Sequence, residues 1–126
     1  MSLVGLGLDQ TELDRVRRVL ERYGDRFLHR CYTEGEIAFS FAHRDPVPRL
    51  SARYAAKEAG SKALGTGIAR GVSWKEIEVV REEGHPPRLR FHGRALERAR
   101  ALGMRRVHLS LTHSRDLAAA VVILED

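Results

Sequence analysis

The residues best suited to chemistry lie in one alanine-rich stretch, residues 53–67, in which a single carboxylate, Glu58, stands among several cations. An α-helix turns by roughly 100° per residue, so Glu58 and Lys62 project from nearly the same face. Mg²⁺ prefers a few carboxylates together with phosphate oxygens, and a lysine can neutralise the same phosphates. The pattern predicts a site for a metal ion and a phosphate. The competing interpretation is a helix-surface ion pair between Glu58 and Lys57 or Lys62.

A second carboxylate is available at Asp9, which ends a short apolar run, residues 3–9, that contains two glycines. Glycines in a strand let another backbone approach closely. We therefore expect Asp9 at a strand-to-helix junction, near enough to Glu58 to share a cation. The alternative is that Asp9 or Thr11 only caps the helix that begins near Glu12.

Length and composition limit the class of protein. A chain of 126 residues with 43% hydrophobic content fits one compact domain, residues 1–126. It has no run of roughly 18 apolar residues and no signal-like N-terminus, so we expect a cytoplasmic protein without a membrane partner. The single cysteine, Cys31, cannot form an internal disulfide. The net charge of +5 indicates an anionic partner, which could be a nucleic acid, a nucleotide or an acidic protein.

Hydrophobic periodicity of 3.6 residues predicts three helices in the first half of the chain. The first spans about residues 12–22, and the second follows a capping box formed by Thr33 and Glu36. The third is a long central helix over about residues 49–64, which stops at a glycine-threonine-glycine turn.

Alternation of apolar and polar residues predicts two antiparallel pairs of strands in the second half. The first pair begins at Trp74 and returns around residues 89–91. A helix over residues 93–102 separates it from the second pair, residues 107–113 and 117–124. The fold class predicted from this order is α+β, with an antiparallel sheet packed against the long central helix.

Two further patterns could bind anions. Arg15, Arg18 and Arg22 form a guanidinium stripe at helical spacing, which could engage carboxylates or phosphates, although most such stripes are solvated faces. His113 lies at the exit of a predicted strand, where an imidazole could donate to a phosphate or transfer a proton. A histidine at a strand end is more often structural.

The order of these motifs resembles the holo-acyl-carrier-protein synthase family of phosphopantetheinyl transferases. The resemblance covers nearly the whole chain, and small departures fall at Gln10, Cys31 and Tyr32. Its densest parts are Arg53-Tyr54-Ala55-Ala56-Lys57-Glu58-Ala59, Lys62-Ala63-Leu64-Gly65-Thr66-Gly67 and His108-Leu109-Ser110-Leu111-Thr112-His113.

The resemblance implies transfer of 4'-phosphopantetheine from coenzyme A to a serine of an apo acyl carrier protein in fatty acid biosynthesis, with release of adenosine 3',5'-bisphosphate. It makes Asp9 and Glu58 ligands of Mg²⁺. Lys62 and His113 would stabilise the departing phosphate. The serine proton would go either to Glu58 or to a water held by Asp9.

The resemblance also implies contacts away from the metal. Arg53 and the turn Gly65-Thr66-Gly67 would lie near the nucleotide end of coenzyme A, where a guanidinium and backbone N–H groups favour phosphate. An ordinary helix C-cap is the alternative for the turn. The arginine stripe would dock the acidic helix of the carrier protein. Family members are compact homotrimers with sites between subunits, which the resemblance extends to this chain.

Two other functions remain compatible with the charge. A small nucleic-acid-binding domain could use the basic surface, but 6% aromatic content offers few stacking platforms and no helix-turn-helix or zinc pattern appears. A coenzyme A-binding module without catalysis is the other possibility. The presence of both acids together with Lys62 and His113 disfavours it.

Overall fold

The computed structural model describes residues 1–126 and contains five strands, five α-helices and one 3₁₀ turn. The α+β class predicted from the sequence is confirmed. In chain order the elements are β1 (Leu3–Glu12), α1 (Leu13–Tyr23), α2 (Asp25–Cys31), α3 (Glu34–Phe41), α4 (Val47–Leu64), the 3₁₀ turn (Trp74–Glu76), β2 (Ile77–Val80), β3 (Arg88–Phe91), α5 (Gly93–Ala101), β4 (Arg106–His113) and β5 (Leu117–Glu125).

Strands β1, β5 and β4 form an antiparallel sheet in that order, so β1 and β4 are its two edges. The pairing of β1 with β5 continues as far as Glu12 opposite Leu117. Asp9 therefore lies inside the strand, opposite Ala120, and the expectation of a strand-to-helix junction at Asp9 was wrong. The error has a physical cause, because the ladder to β5 supplies backbone partners for three residues beyond the apolar run.

Helix α4 packs along one face of this sheet. Its small residues Ala55, Ala56, Ala59 and Ala63 are all buried, as their spacing predicted. The helix begins two residues earlier than expected because a proline occupies its first turn, where the missing N–H needs no partner. Its C-cap, Gly65, has the left-handed conformation that favours glycine.

The hairpin of β2 and β3 packs against the other side of α4 and carries four buried side chains, Ile77, Val79, Leu89 and Phe91. The sequence placed Trp74 in the first strand of this hairpin, and that placement was wrong. Trp74 opens a 3₁₀ turn instead, because the carboxylate of Glu76 accepts the N–H of Ser73 and closes a capping box.

Helices α1, α2 and α3 enclose a second apolar cluster at the N-terminal end of α4. The capping box of Thr33 and Glu36 is present at the start of α3, as predicted. Helix α2 was not predicted, although its buried residues Phe27, Leu28 and Cys31 have helical spacing. None of the helices combines the length and the apolar character that a membrane span needs.

A fully buried ion pair joins the two halves of the molecule. The ammonium of Lys57 lies 2.7 Å from a carboxylate oxygen of Glu36, and neither side chain is exposed. Lys57 also donates to the carbonyls of Trp74 and Ile77, at 3.0 and 2.7 Å. The other oxygen of Glu36 accepts the N–H of Val79 at 2.7 Å. These bonds fix α3, α4 and the β2 strand relative to one another.

Candidate active site

The structure brings together three of the residues singled out in the sequence, namely Asp9, Glu58 and Lys62. Lys62 Nζ lies 2.8 Å from Asp9 Oδ1 and 3.1 Å from the carbonyl oxygen of Leu8, so the end of α4 reaches across to β1. The side chain of Asp9 is 19% exposed and that of Lys62 is 52% exposed. The cluster thus lies at the surface, with Asp9 partly enclosed.

Glu58 shares this environment, because Asp9, Lys62 and Arg15 are the charges that act on its carboxylate. Burial raises the pKa of Glu58 above its ordinary value, and the negative charge of Asp9 raises it further. The positive charges of Lys62 and Arg15 oppose both effects. The two negative charges repel each other in a partly enclosed place, so an added cation between them would relieve that repulsion.

The cluster fits Mg²⁺ better than it fits a metal that needs an all-protein site. No group of three or more histidine, cysteine or acidic side chains occurs in the chain, so the protein offers two carboxylates only. Mg²⁺ characteristically takes one or two carboxylates and completes its shell with water and substrate phosphate. Asp9 and Glu58 would hold such an ion, and Lys62 is close enough to neutralise the phosphate beside it.

Both alternatives for these acids are excluded by the contacts. The N-cap of α1 is Glu12 and makes no side-chain cap, so neither Asp9 nor Thr11 caps the helix. Glu58 forms no ion pair with either lysine, because Lys57 is paired with Glu36 and Lys62 with Asp9.

His113 does not join the cluster within one chain. It is exposed at the end of β4, opposite Ala118, whereas Asp9 lies opposite Ala120 on the far edge strand. Cross-strand partners share a face, so His113 and Asp9 project from the same side of the sheet. Two strand spacings and two residues separate their Cα atoms, which gives roughly 12 Å.

Arg53 lies in the N-terminal half of α4, away from Lys62, and is buried, with 2% of its surface exposed. Its guanidinium stacks over the ring of Phe39 at 4.3 Å, and its Nε has no hydrogen-bond partner. Burial lowers the pKa of Arg53 to about 10. Twelve residues of helix separate it from Gly65, or roughly 18 Å, so the two do not form one phosphate site in a single chain.

The turn after α4 has the structure of a helix C-cap. The N–H of Gly65 donates to the carbonyl of Lys62, and those of Thr66 and Gly67 donate to the carbonyl of Ser61. These donors satisfy the unpaired carbonyls at the end of the helix, as a C-cap does. The contact of this turn with the nucleotide stays a prediction.

A groove of about 560 Å³ lies between α1, α2 and α4. The rings of Tyr54 and Trp74 pack at its base with centroids 4.6 Å apart. Tyr54 stands one helical turn before Glu58, so the groove borders the acid cluster. Its lining residues are Thr11, Arg15, Val16, Val19, Tyr23, Arg26, Phe27, Arg30, Cys31, Tyr54 and Trp74.

Of the arginine stripe, Arg15 lines this groove, while Arg18 and Arg22 are exposed on the same helix. Sequence reasoning did not place two further arginines, Arg26 and Arg30, in this groove, because it missed α2. The helical spacing of the apolar residues in α2 is the signal that could have found them.

Comparison with known proteins identifies the family of the chain. A profile of the 4'-phosphopantetheinyl transferase superfamily matches residues 5–122. The holo-[acyl-carrier-protein] synthase of Maridesulfovibrio salexigens is 50% identical over 123 residues, which cover 98% of each chain. That of Koribacter versatilis is 48% identical over 124 residues, which cover 98% of this chain and 99% of the relative.

Solved structures agree with this assignment. The holo-[acyl-carrier-protein] synthase of Neisseria meningitidis superposes with a TM-score of 0.87 at 34% identity and covers 99% of this chain and 100% of that one. The Bacillus anthracis synthase, solved in complex with CoA (3',5'-ADP), gives 0.79 at 35% identity and covers 97% and 96%. The chain therefore belongs to the 4'-phosphopantetheinyl transferase superfamily, and it is an enzyme of the holo-acyl-carrier-protein synthase type.

Proposed function

We propose that this enzyme, as one domain spanning residues 1–126, transfers 4'-phosphopantetheine from coenzyme A to a serine of apo acyl carrier protein in the cytoplasm, for fatty acid biosynthesis. The reaction depends on Mg²⁺ and releases adenosine 3',5'-bisphosphate. The observation that carries this proposal is the cluster of Asp9, Glu58 and Lys62, in which two partly buried carboxylates and an exposed ammonium meet.

Asp9 and Glu58 would hold Mg²⁺, which supplies charge neutralisation of the diphosphate when it is bound. Lys62, half exposed and anchored beside Asp9, is free to exchange that partner for a phosphate oxygen of coenzyme A. The turn at residues 65–67 follows Lys62 at the same end of α4. Its position supports contact with the nucleotide. Its N–H groups would not make that contact, because they already donate to carbonyls of α4.

Glu58 is the better of the two candidates for the base that accepts the serine proton. A serine hydroxyl is a poor nucleophile at neutral pH, and a base works best when its pKa approaches the working pH. In the metal-free protein, burial and the charge of Asp9 raise the pKa of Glu58 in that direction. Arg53 would act as a positioning residue, because its burial against Phe39 removes it from direct contact with substrate.

The carrier protein would dock on α1 and α2. Arg15, Arg18 and Arg22 present positive charge to its acidic helix, and Arg26 and Arg30 extend that charge across the groove. Complementary charge accelerates encounter and fixes orientation. The groove leads to Tyr54 and hence to Glu58, so a carrier docked there would bring its serine to the acid cluster.

A homotrimer is supported by the outer face of the sheet. Leu6 and Leu8 are 56% and 66% exposed there, and Val121 and Ile123 of the adjacent strand are only partly buried. An apolar face of this kind is characteristic of an interface between subunits. We propose that His113, too far from Asp9 in its own chain, serves the acid cluster of a neighbouring subunit.

The main test is to weigh an apo carrier protein by mass spectrometry after incubation with the enzyme, coenzyme A and Mg²⁺. A gain of the phosphopantetheine mass by the carrier protein supports the proposal. If the carrier gains no mass although the enzyme binds coenzyme A, the chain is a coenzyme A-binding module without catalysis. Asp9→Ala and Glu58→Ala should each abolish transfer while circular dichroism remains unchanged. Near-normal rates in both variants would reject the metal assignment.

Subunit sharing has its own test. Glu58→Ala and His113→Ala chains, each inactive alone, are mixed, unfolded together and refolded. A shared site predicts recovered activity, because some interfaces then combine an intact acid cluster with an intact histidine. Activity that stays at the level of the separate variants would reject the role proposed for His113.

A further inference from the structure

Strand β1 approaches α4 so closely that two of its residues have no room for a side chain. A Cβ atom on Gly7 would overlap the carbonyl oxygen of Ala59 and lie 2.9 Å from the backbone nitrogen of Ala63. A Cβ atom on Gly5 would overlap the carbonyl oxygen of Ala63 and lie 2.9 Å from a methyl group of Leu124. The obstacles at Gly7 are helix backbone, which cannot rotate away as a flexible side chain could.

Backbone conformation does not explain these glycines. Neither Gly5 nor Gly7 has a positive φ, so any residue could adopt their extended conformation. The requirement is space alone. This distinguishes them from Gly65 and Gly67, where positive φ favours glycine irrespective of the surroundings.

The close contact follows a regular match between strand and helix. From Gly5 to Gly7 the facing residue of α4 changes from Ala63 to Ala59, so the two elements run in opposite directions. Two strand residues advance roughly 6.7 Å and one helical turn roughly 5.4 Å, so the contacts stay nearly in step. Asp9 is the next residue on the helix-facing side of β1.

We propose that Gly7, supported by Gly5, is a positioning residue that holds Asp9 at the distance from Glu58 at which the two carboxylates can share one cation. The inference rests on the proposed Mg²⁺ function. Mg²⁺ demands oxygen ligands at roughly 2.0–2.1 Å in near-ideal geometry, so a displacement of β1 on the order of 1 Å is enough to separate its ligands. A methyl group at Gly7 imposes such a displacement.

The test compares Gly7→Ala with a matched control, Gly35→Ala. Gly35 is also a glycine without positive φ, but the nearest atoms to its added Cβ lie 3.9 Å away. The Mg²⁺ concentration for half-maximal transfer should rise about tenfold or more in Gly7→Ala, as it does when groups that orient a metal ligand are removed. It should stay unchanged in Gly35→Ala. The Mg²⁺-dependent rise in melting temperature should shrink in parallel.

A rescue variant separates positioning from general loss of structure. In Gly7→Ala/Asp9→Glu the longer acid adds one methylene, roughly 1.5 Å of reach, and should restore part of the Mg²⁺ response. Asp9→Glu alone, which leaves the packing intact, should weaken that response. If Gly7→Ala does not fold, an undiminished Mg²⁺ response in Asp9→Glu still overturns the proposal.

Two separate measurements distinguish an error in the role of Gly7 from an error in the proposed Mg²⁺ function. Wild-type enzyme that shows no Mg²⁺ response refutes the metal function. A metal-free crystal structure of Gly7→Ala decides the positioning role by itself. Displacement of β1 and Asp9 away from α4 supports it, and an unmoved Asp9 overturns it.

Discussion

Removing the ammonium of Lys57 should destabilise the fold more than any surface substitution would. Lys57→Met keeps an unbranched apolar stem in place but leaves the buried carboxylate of Glu36 without its counter-ion. It also removes the donor from the carbonyls of Trp74 and Ile77. Breaking a buried ion pair on one side costs about 3–5 kcal/mol. The expected loss is a large share of the total stability of a domain, which is about 5–15 kcal/mol.

This free energy converts into a measurable shift. A chain of 126 residues has an unfolding entropy of roughly 0.26 kcal/mol/K at its midpoint, so the melting temperature should fall by roughly 10–20 °C. Thermal and urea unfolding followed by circular dichroism would measure it, at one chain concentration because oligomers unfold in a concentration-dependent way. Lys75→Met, at an exposed lysine, is the control and should change stability by less than about 0.5 kcal/mol.

A double variant tests the interpretation. Glu36→Gln alone leaves a buried ammonium with a weaker partner, whereas Lys57→Met/Glu36→Gln removes both charges. The double variant should therefore lose less than the sum of the two single losses. Strict additivity, or a loss below about 1 kcal/mol for Lys57→Met, would refute the claim that this pair holds the two halves together.

Three further predictions follow from other parts of the molecule. Tyr32→Phe, which removes a buried hydroxyl that donates at 2.8 Å to a backbone carbonyl of α4, should lower the free energy of unfolding by about 1–2 kcal/mol in urea. Because the folded-state pKa of Glu58 is raised, its contribution to stability should be full below pH 4.5 and lost as the pH rises through the raised value. Asp9→Asn removes one cause of the raised pKa, so the free energy of unfolding should depend less steeply on pH above 4.5. An unchanged slope in unfolding curves measured at these pH values would contradict this prediction. Arg18→Glu should raise the KM for the carrier protein several-fold, less so at high salt, whereas Arg105→Glu at the remote end of the sheet should not.

The sequence by itself determined the class of fold and most of its elements, and it singled out the two acids that the structure brings close to each other. Periodicity located α1, α4 and both hairpins because each buries one face, and burial selects apolar residues at the period of the element. The capping box at Thr33 and the glycine C-cap of α4 were readable because they are local backbone chemistry. The resemblance then related Asp9, Glu58 and Lys62 to one reaction.

Only the tertiary structure decided which groups meet. The strand β1 runs past Asp9 because β5 supplies its partners, and Trp74 leaves the hairpin because Glu76 closes a turn. Lys57 looked like an ordinary helix-surface lysine, yet it lies fully buried against Glu36, twenty-one residues earlier in the chain. Contacts of this kind depend on how close two distant backbones come. At Gly7 that distance is set by the absence of a side chain, which a sequence records only as a small residue.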